Sequence, residues 1–158
     1  MPRVGRKKSD RRWKAPDGTI WASRFEYRVY EHFRASGSNV RKCDSSDSVT
    51  YSEPKPNVKC MECGGSECVQ ERIYTPDLHI IPQHGSSYFI EAKGYFRPEK
   101  RKLFRCLRNS RPDIDLRVIL EADHWVTRGK TRLSDYFERY LKTTPYCVGL
   151  NDIPEEWL

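Results

Sequence analysis

Hydrophobic and polar residues follow two different periods along the chain, and these periods predict its helices and strands. Apolar residues that recur every three or four positions predict three amphipathic helices, at about 23–35, 98–109 and 134–142. Short runs rich in β-branched and aromatic residues predict four strands, at 78–81, 87–93, 116–120 and 146–148. We therefore expect a mixed α/β fold, in which helices flank a central mixed β-sheet.

The first two predicted strands are joined by the turn-forming stretch 82–86 and predict a β-hairpin. Because side chains alternate along a strand, Glu91 and Lys93 share one face. Counting back from the turn places Asp77 opposite Ala92. Asp77 is then diagonal to both Glu91 and Lys93, at about 7–8 Å. Two carboxylates and one amine are expected to meet at one end of the hairpin.

This combination of side chains suits metal-assisted hydrolysis of a phosphodiester. Carboxylates are hard oxygen ligands for Mg²⁺, which readily also takes a substrate phosphate. A lysine beside the metal would orient the nucleophile or offset charge in the transition state. The simpler alternative is a solvated hairpin face, but the run 88–90 is too apolar for a strand exposed on both sides.

Glu26 lies at the start of the first predicted helix and has two interpretations. With Ser23 it forms a capping box, which would explain it structurally. On the helical wheel, however, Glu26 falls inside the apolar arc of Phe25, Val29 and Phe33. A carboxylate buried alone is costly, so it needs a partner, and a metal ion is one such partner.

Charge and length narrow the class of protein. The 158 residues suggest one domain, and the net charge of +7 favours a polyanionic partner. The chain has no apolar stretch of membrane-spanning length, and no apolar run follows its basic N-terminus as in a signal peptide. We expect a protein that is not secreted and does not bind membranes, with a basic, flexible arm at 1–14.

Basic residues cluster in this arm, in the second helix and in the polar loop 122–133. A solvated surface is the usual explanation of such runs, but here nearly all the charges have one sign and some follow the carboxylate hairpin closely. We expect these residues to contact DNA phosphates: Arg6, Lys7, Lys8, Arg11, Arg12, Lys100, Arg101, Lys102, Arg105, Arg128 and Lys130.

The segment 43–70 is rich in cysteine and poor in apolar residues. Cys60 and Cys63 form a CxxC knuckle followed by two glycines, and Cys68 and Cys43 would complete a tetrahedral Cys₄ zinc site. Such a site is structural, because four thiolates leave no open position. Free thiols in a loop are the alternative, and His79 and His84 are fallback ligands.

Four segments together resemble the bacteriophage endonuclease I family. Its members are Holliday-junction-resolving nucleases of the PD-(D/E)xK superfamily. They are Tyr-Thr-Pro-Asp at 74–77, Glu-Ala-Lys-Gly at 91–94, the stretch 111–118, and Ile-Pro-Glu-Glu-Trp at 153–157. The similarity extends from about residue 23 to residue 158. The cysteine-rich insertion departs from the family, in which the corresponding stretch is shorter and bridges two subunits.

The resemblance implies a restriction-endonuclease-like core and a set of functional residues. Glu26, Asp77 and Glu91 would bind a pair of Mg²⁺ ions, for which Mn²⁺ can substitute, and Lys93 would be the catalytic lysine. It also implies an intertwined homodimer that acts on branched double-stranded DNA, as a phage protein in the cytoplasm of its host cell. Hydrolysis would leave a 5′-phosphate.

Two alternatives stay open. One is a restriction-type or repair-type nuclease that acts on linear or mismatched duplex DNA. The other is a non-catalytic, zinc-containing DNA-binding protein. The convergence of Glu26, Asp77, Glu91 and Lys93 favours the junction-resolving nuclease over both.

Overall fold

The fold is described from a computed structural model, which covers residues 12–55, 68–126 and 129–158. Its α-helices are α1 (Arg24–Ala35), α2 (Pro98–Ser110) and α3 (Leu133–Tyr140). Two short 3₁₀ helices lie at Ser45–Asp47 and Glu155–Trp157. The strands are β1 (Trp13–Lys14), β2 (Ile20–Trp21), β3 (Asn39–Lys42), β4 (Val49–Pro54), β5 (Val69–Tyr74), β6 (Leu78–Ile81), β7 (Tyr88–Lys93), β8 (Leu116–Leu120) and β9 (Tyr146–Val148).

A five-stranded mixed sheet forms the centre, in the order β3-β6-β7-β8-β9. Strands β3, β6 and β7 are antiparallel neighbours, whereas β7, β8 and β9 run parallel. The parallel connections pass through α2 and α3, as parallel strands require a crossover. The predicted mixed α/β fold is confirmed.

Helix α1 packs on one face of this sheet, while α2 and α3 belong to the core on the other. Phe25, Val29 and Phe33 of α1 share a buried cluster with Ile90 and neighbouring side chains of β6, β7 and β8. Phe104 of α2 and the apolar side of α3 share a second cluster with alternate residues of β8. Strand β7 is therefore covered on both faces, which explains its nearly continuous apolar sequence.

The helix ends follow local chemistry, with two corrections. The Glu26 backbone N–H donates to Ser23 Oγ at 3.1 Å, so Ser23 caps α1 as predicted. The reciprocal bond from the Glu26 side chain, which would complete the predicted capping box, is not formed. Helix α3, by contrast, begins at Leu133 and not after a Ser134 cap. Ser134 instead donates its hydroxyl to Asp123 at 2.8 Å. None of the helices in the described ranges is long and apolar enough to cross a bilayer.

Two small hairpins were not predicted. Strands β4 and β5 pair along their full length, with Tyr51 and Tyr74 in the buried cluster that also contains residues of α2. Their outward positions are mostly polar, but Val69 and Ile73 are also exposed. Strands β1 and β2 bring Trp13 and Trp21 against Tyr27 of α1. Trp13 and Lys14, at the end of the predicted flexible arm, thus form a strand.

The predicted register of the central hairpin was wrong by one residue. Leu78 pairs with Ile90, so continuing the register places Asp77 opposite Glu91 and not opposite Ala92. A shift of one residue exchanges the two faces of a strand. The observed register therefore puts Asp77 on the same face as Glu91, which brings their carboxylates closer than the predicted diagonal.

Candidate active site at the end of the central hairpin

Asp77, Glu91 and Lys93 meet at the end of the β6–β7 hairpin. The Lys93 ammonium lies 2.9 Å from Asp77 Oδ2 and 2.7 Å from Glu91 Oε1. The Asp77 carboxylate also accepts the backbone N–H of Ala92 at 2.9 Å, and the Asp77 N–H donates to the Ile90 carbonyl at 3.2 Å. The strand backbone thus fixes the position of the three charged groups, as the sequence predicts.

Glu91 is the most deeply buried charged group of this cluster, with 1% of its side chain exposed. Tyr74 donates its hydroxyl to Glu91 Oε2. Oε1 faces the charges of Lys93 and of Lys100, which is 3.9 Å away, but it has no well-directed hydrogen bond from the described residues. Burial and the nearby Asp77 charge raise the pKa of Glu91.

Lys93 is held in its charged form by its neighbours. Burial alone would lower the pKa of Lys93, but the charges of Glu91 and Asp77 outweigh this effect and raise it. A lysine in this environment is a cation and a hydrogen-bond donor. Because an ammonium has no lone pair, Lys93 cannot accept a proton from water unless it first loses one of its own.

Glu26 reaches this end of the sheet from the first turn of α1 and is 3% exposed. Burial, followed by the negative charge of Asp77, raises the pKa of Glu26 to about 7, against the opposing effects of Lys42 and Lys93. The electrostatic coupling places Glu26 in the same charged region as the hairpin carboxylates. The cap contact uses only the backbone N–H of Glu26, so helix capping does not explain why its side-chain carboxylate is buried here.

The carboxylates match a hard divalent cation in their chemistry, although they are not already arranged as a closed metal cage. Across the described ranges, no three His, Cys, Asp or Glu side chains are positioned as a ready metal-binding group. Lys93 occupies the space between Asp77 and Glu91. Glu91 Oε1 nevertheless has no directed hydrogen bond from the described residues. The raised pKa values of Glu26 and Glu91 come from burial and, after it, from the negative charge of Asp77, and a bound cation would offset both effects.

Two residues at the site were missed as site residues by sequence reasoning. Tyr74 was part of the recognised motif but had no assigned role, and it is the hydrogen-bond donor to Glu91. Lys100 was predicted as a DNA contact, yet its ammonium lies near Glu91 and over the Tyr74 ring, at 5.7 Å. No sequence signal gives these contacts, because they join Tyr74 of β5 and Lys100 of α2 to Glu91 of β7, and these elements are separated along the chain.

The other predicted DNA contacts are dispersed. Lys102 forms an ion pair with Glu53 at 2.5 Å, and the Arg101 guanidinium lies 5.4 Å from the centre of the Tyr136 ring. Arg12, Arg105 and Lys130 are exposed. Five further candidates lie outside the described residues: Arg6, Lys7, Lys8, Arg11 and Arg128.

The structure does not bring Cys43 and Cys68 together. The Cys43 N–H donates to the Asp77 carbonyl at 3.0 Å, beside the carboxylate cluster. The Cys68 carbonyl accepts from Lys55 at the opposite end of the β4–β5 hairpin, and β5 alone spans about 20 Å. One zinc ion cannot bind both sulfurs at that separation. Cys60 and Cys63 lie outside the described residues.

Cys43 and the fallback ligand His79 have other environments. Burial, followed by the charge of Asp47, raises the pKa of the Cys43 thiol to about 12, so it is protonated at neutral pH. The His79 ring nitrogen lies 2.9 Å from Arg41, which also binds Asp47. His84 is exposed in the β6–β7 turn. None of these contacts indicates a metal site.

Comparison of the chain with protein-family models found no match, and comparisons with curated proteins and with solved structures found no significant match. The functional assignment therefore depends on the geometry and chemistry of the site.

Proposed function

We propose that this protein is a metal-dependent, structure-selective DNA endonuclease that resolves four-way (Holliday) and other branched junctions. The observation that carries the proposal is the convergence of Asp77, Glu91 and Lys93 at the end of β7, with Glu26 adding a third carboxylate from α1. Buried carboxylates with raised pKa values next to a fixed cation are typical of functional sites.

The residues of the site divide into three roles. Glu26, Asp77 and Glu91 would hold Mg²⁺, which supplies Lewis-acid polarisation of the phosphoryl oxygen and a more acidic bound water. Lys93, as a charged donor, would orient the attacking water or stabilise the charge that develops on the phosphate. Tyr74 would fix the orientation of Glu91 by its hydrogen bond. Attack in line with the leaving group would give a 5′-phosphate, as the family resemblance implies.

The substrate and assembly follow from charge and from that resemblance. A net charge of +7 favours a polyanion, and the basic residues of the N-terminal arm and α2 would contact its phosphates. Paired cuts at a four-way junction require two active sites, so a homodimer belongs to the proposal. The expected location is the cytoplasm of a host cell.

A cleavage assay tests both the chemistry and the selectivity. A labelled four-way junction and a linear duplex of the same sequence are incubated with the protein, with Mg²⁺ or with a chelator. Paired, Mg²⁺-dependent nicks near the branch point, with the duplex spared, are expected. Equal cutting of both substrates would keep the nuclease but replace junction resolution with a restriction-type or repair-type activity.

One observation favours a second candidate, a non-catalytic DNA-binding protein. Lys93 already bridges Asp77 and Glu91, so the charged cluster is partly self-compensated. Such an ion-pair network could be purely structural. Tight binding of the junction without cleavage, together with carboxylates that bind no Mn²⁺ in a titration, would establish this candidate.

Zinc binding by the cysteine knuckle is a separate proposal. Cys60, Cys63 and Cys68 lie close in sequence, whereas the position of Cys43 excludes it from a site with Cys68. Metal analysis of the purified protein is expected to find about one zinc per chain. Less than about half an equivalent would contradict the structural zinc site.

A further inference from the structure

A cationic groove lies between α2 and α3, separate from the carboxylate cluster. We call it the α2–α3 groove. Its volume is about 390 Å³. It is lined by three arginines and two tyrosines, which are Arg101, Arg105, Arg139, Tyr136 and Tyr140. A second cleft of about 230 Å³ shares Arg105, Arg139 and Tyr140 and extends the groove toward Lys142. Neither cleft is lined by a carboxylate among the described residues.

The positive charges of the groove are not compensated within the described part of the chain. No ion pair there involves Arg101, Arg105 or Arg139. Arg101 and Arg105 are four residues apart on α2, so their side chains point along one helix face. Three like charges around one concavity repel each other, and an anion in the groove removes this repulsion.

Polar atoms at the floor of the groove also lack partners. Tyr136 is 7% exposed, and its buried hydroxyl has no hydrogen bond from the described residues. The buried Nε of Arg101 also has no hydrogen-bond partner among the described residues. Buried polar atoms are normally hydrogen-bonded, so these two indicate the position of an external polar group.

The groove also offers an aromatic surface. Tyr140 is 55% exposed, and its ring lies 5.0 Å from the ring of Tyr136 at an angle of 40°. Aromatic rings beside arginines are the combination that holds unpaired nucleotides, whose bases stack while their phosphates are neutralised. In duplex DNA the bases are already stacked on each other and are not available to an isolated tyrosine.

We propose that the α2–α3 groove binds single-stranded DNA, with a base stacked on Tyr140 and a phosphate held by Arg139 and Arg105. The inference deepens the proposed nuclease function, on which it rests, because α2 also carries Lys100 beside Glu91. A branched substrate would present an unpaired segment to the groove while its duplex arm reaches the carboxylates. Single-strand binding is measurable without any cleavage.

Binding of a fluorescent oligothymidylate, measured by anisotropy in chelator at several salt concentrations, tests the proposal. Tyr140→Ala should weaken binding about tenfold, whereas Tyr140→Phe, which keeps the ring, should bind like the wild type. Arg139→Gln should reduce the slope of log affinity against log salt concentration by about 0.7. Arg28→Gln removes the same charge from an exposed position on α1, and it should leave the slope unchanged.

Three outcomes would overturn the inference: no binding by the wild type, equal binding by the two Tyr140 variants, or equal slopes for Arg139→Gln and Arg28→Gln. Thermal unfolding of each variant shows that it is folded. Cleavage of the junction is measured separately. If single-strand binding depends on Tyr140 and Arg139 but no DNA is cut, the proposed nuclease function is wrong, while single-strand binding by the α2–α3 groove is supported. If junctions are cut and the two Tyr140 variants bind single-stranded DNA equally well, the inference about the α2–α3 groove is wrong and the proposed nuclease function is unaffected.

Discussion

Helix α2 contributes to two charged regions, of which one contains charges of both signs and the other contains only positive charges among the described residues. On its β7 side, Glu91 and Asp77 are gathered around Lys93, and Lys100 adds a fourth charge near Glu91. On its α3 side, arginines line a groove that contains no carboxylate among the described residues. Lys100 and Arg101 are adjacent in sequence yet serve different regions, because consecutive helical residues point about 100° apart.

The two regions differ in how their charge is balanced. In the carboxylate cluster, Asp77, Glu91 and Lys93 each have a partner of opposite charge at hydrogen-bond distance. In the α2–α3 groove, the described part of the chain supplies no such partner. Substitutions in the cluster should therefore change both stability and activity, whereas substitutions in the groove should change binding of DNA and little else.

The largest effect is expected for Lys93→Ala. Among the described residues, Lys93 carries the only ammonium that contacts both carboxylates. Its loss should lower the rate of junction cleavage by on the order of a thousandfold, while junction binding in chelator stays nearly intact. Single-turnover cleavage and anisotropy measure the two quantities. Lys55→Ala, at an exposed position, is the control. Loss of junction affinity alone would contradict the assigned role of Lys93.

The next largest effect is expected on stability. Lys93→Ala leaves the buried Glu91 carboxylate without the ammonium that it contacts. We expect Lys93→Ala to lower the free energy of unfolding by about 3 kcal/mol, and addition of Glu91→Gln to recover part of this loss. Urea denaturation of the wild type, both single variants and the double variant measures the coupling. Strictly additive effects would mean that Lys93 and Glu91 do not stabilise each other.

Glu26 gives a pH-dependent effect. Its pKa is raised from 4.5 to about 7 in the folded protein, so the folded state binds more protons than the unfolded state between these values. Its contribution to stability is therefore complete below pH 4.5 and is lost as the pH rises through 7. At pH 8, the free energy of unfolding of Glu26→Gln should exceed that of the wild type by about 2 kcal/mol. This difference should disappear near pH 4.

Urea denaturation across this pH range checks the prediction for Glu26. Glu31→Gln on the same helix is the control for removal of a carboxylate, since Glu31 is on the surface, where it pairs with Arg34 at 3.3 Å. A Glu26→Gln variant that is no more stable at pH 8 than the wild type would indicate that Glu26 has a compensating partner.

The smallest effect is expected for Tyr74→Phe. This variant removes one hydrogen bond to the Glu91 carboxylate while it keeps the buried ring, so we expect a loss of about 1–2 kcal/mol in stability. Cleavage should decrease but remain measurable, because Lys93 still contacts Glu91. Tyr51→Phe, in the same core but away from the carboxylates, is the matched control. Equal losses in both variants would contradict a positioning role for Tyr74.

The parts of the fold that were predictable are those in which local pattern determines the structure. Helix α1 and strands β6, β7 and β8 have clear apolar periods, and their bounds were predicted within a residue or two. Strands β4 and β5 were missed, because few of their positions are buried and most of the remainder are polar. The apolar residues Val69 and Ile73 are exposed, so apolar positions do not mark the buried face of this pair. Their stability comes from packing on α2, which a local pattern does not contain.

The same distinction applies to the site. Asp77, Glu91 and Lys93 were predicted to converge because one hairpin holds them, although the register was wrong by one residue. The six residues between β6 and β7 do not determine which strand positions pair. Cys43 was predicted to join Cys68 from cysteine count alone, but β5 separates the two residues. Sequence spacing predicts which residues lie close together within one hairpin. It does not predict this for residues that are separated by a long insertion.

The most direct test of the central claim compares Asp77→Asn with Asp113→Asn on a labelled four-way junction across a range of Mg²⁺ concentrations. Both variants replace one carboxylate, but Asp113 is exposed and pairs with Arg111 at 2.8 Å, away from the cluster. The account predicts Mg²⁺-dependent cleavage by the wild type and by Asp113→Asn, and none by Asp77→Asn. Equal cleavage by both variants would show that the end of the β6–β7 hairpin is not the active site.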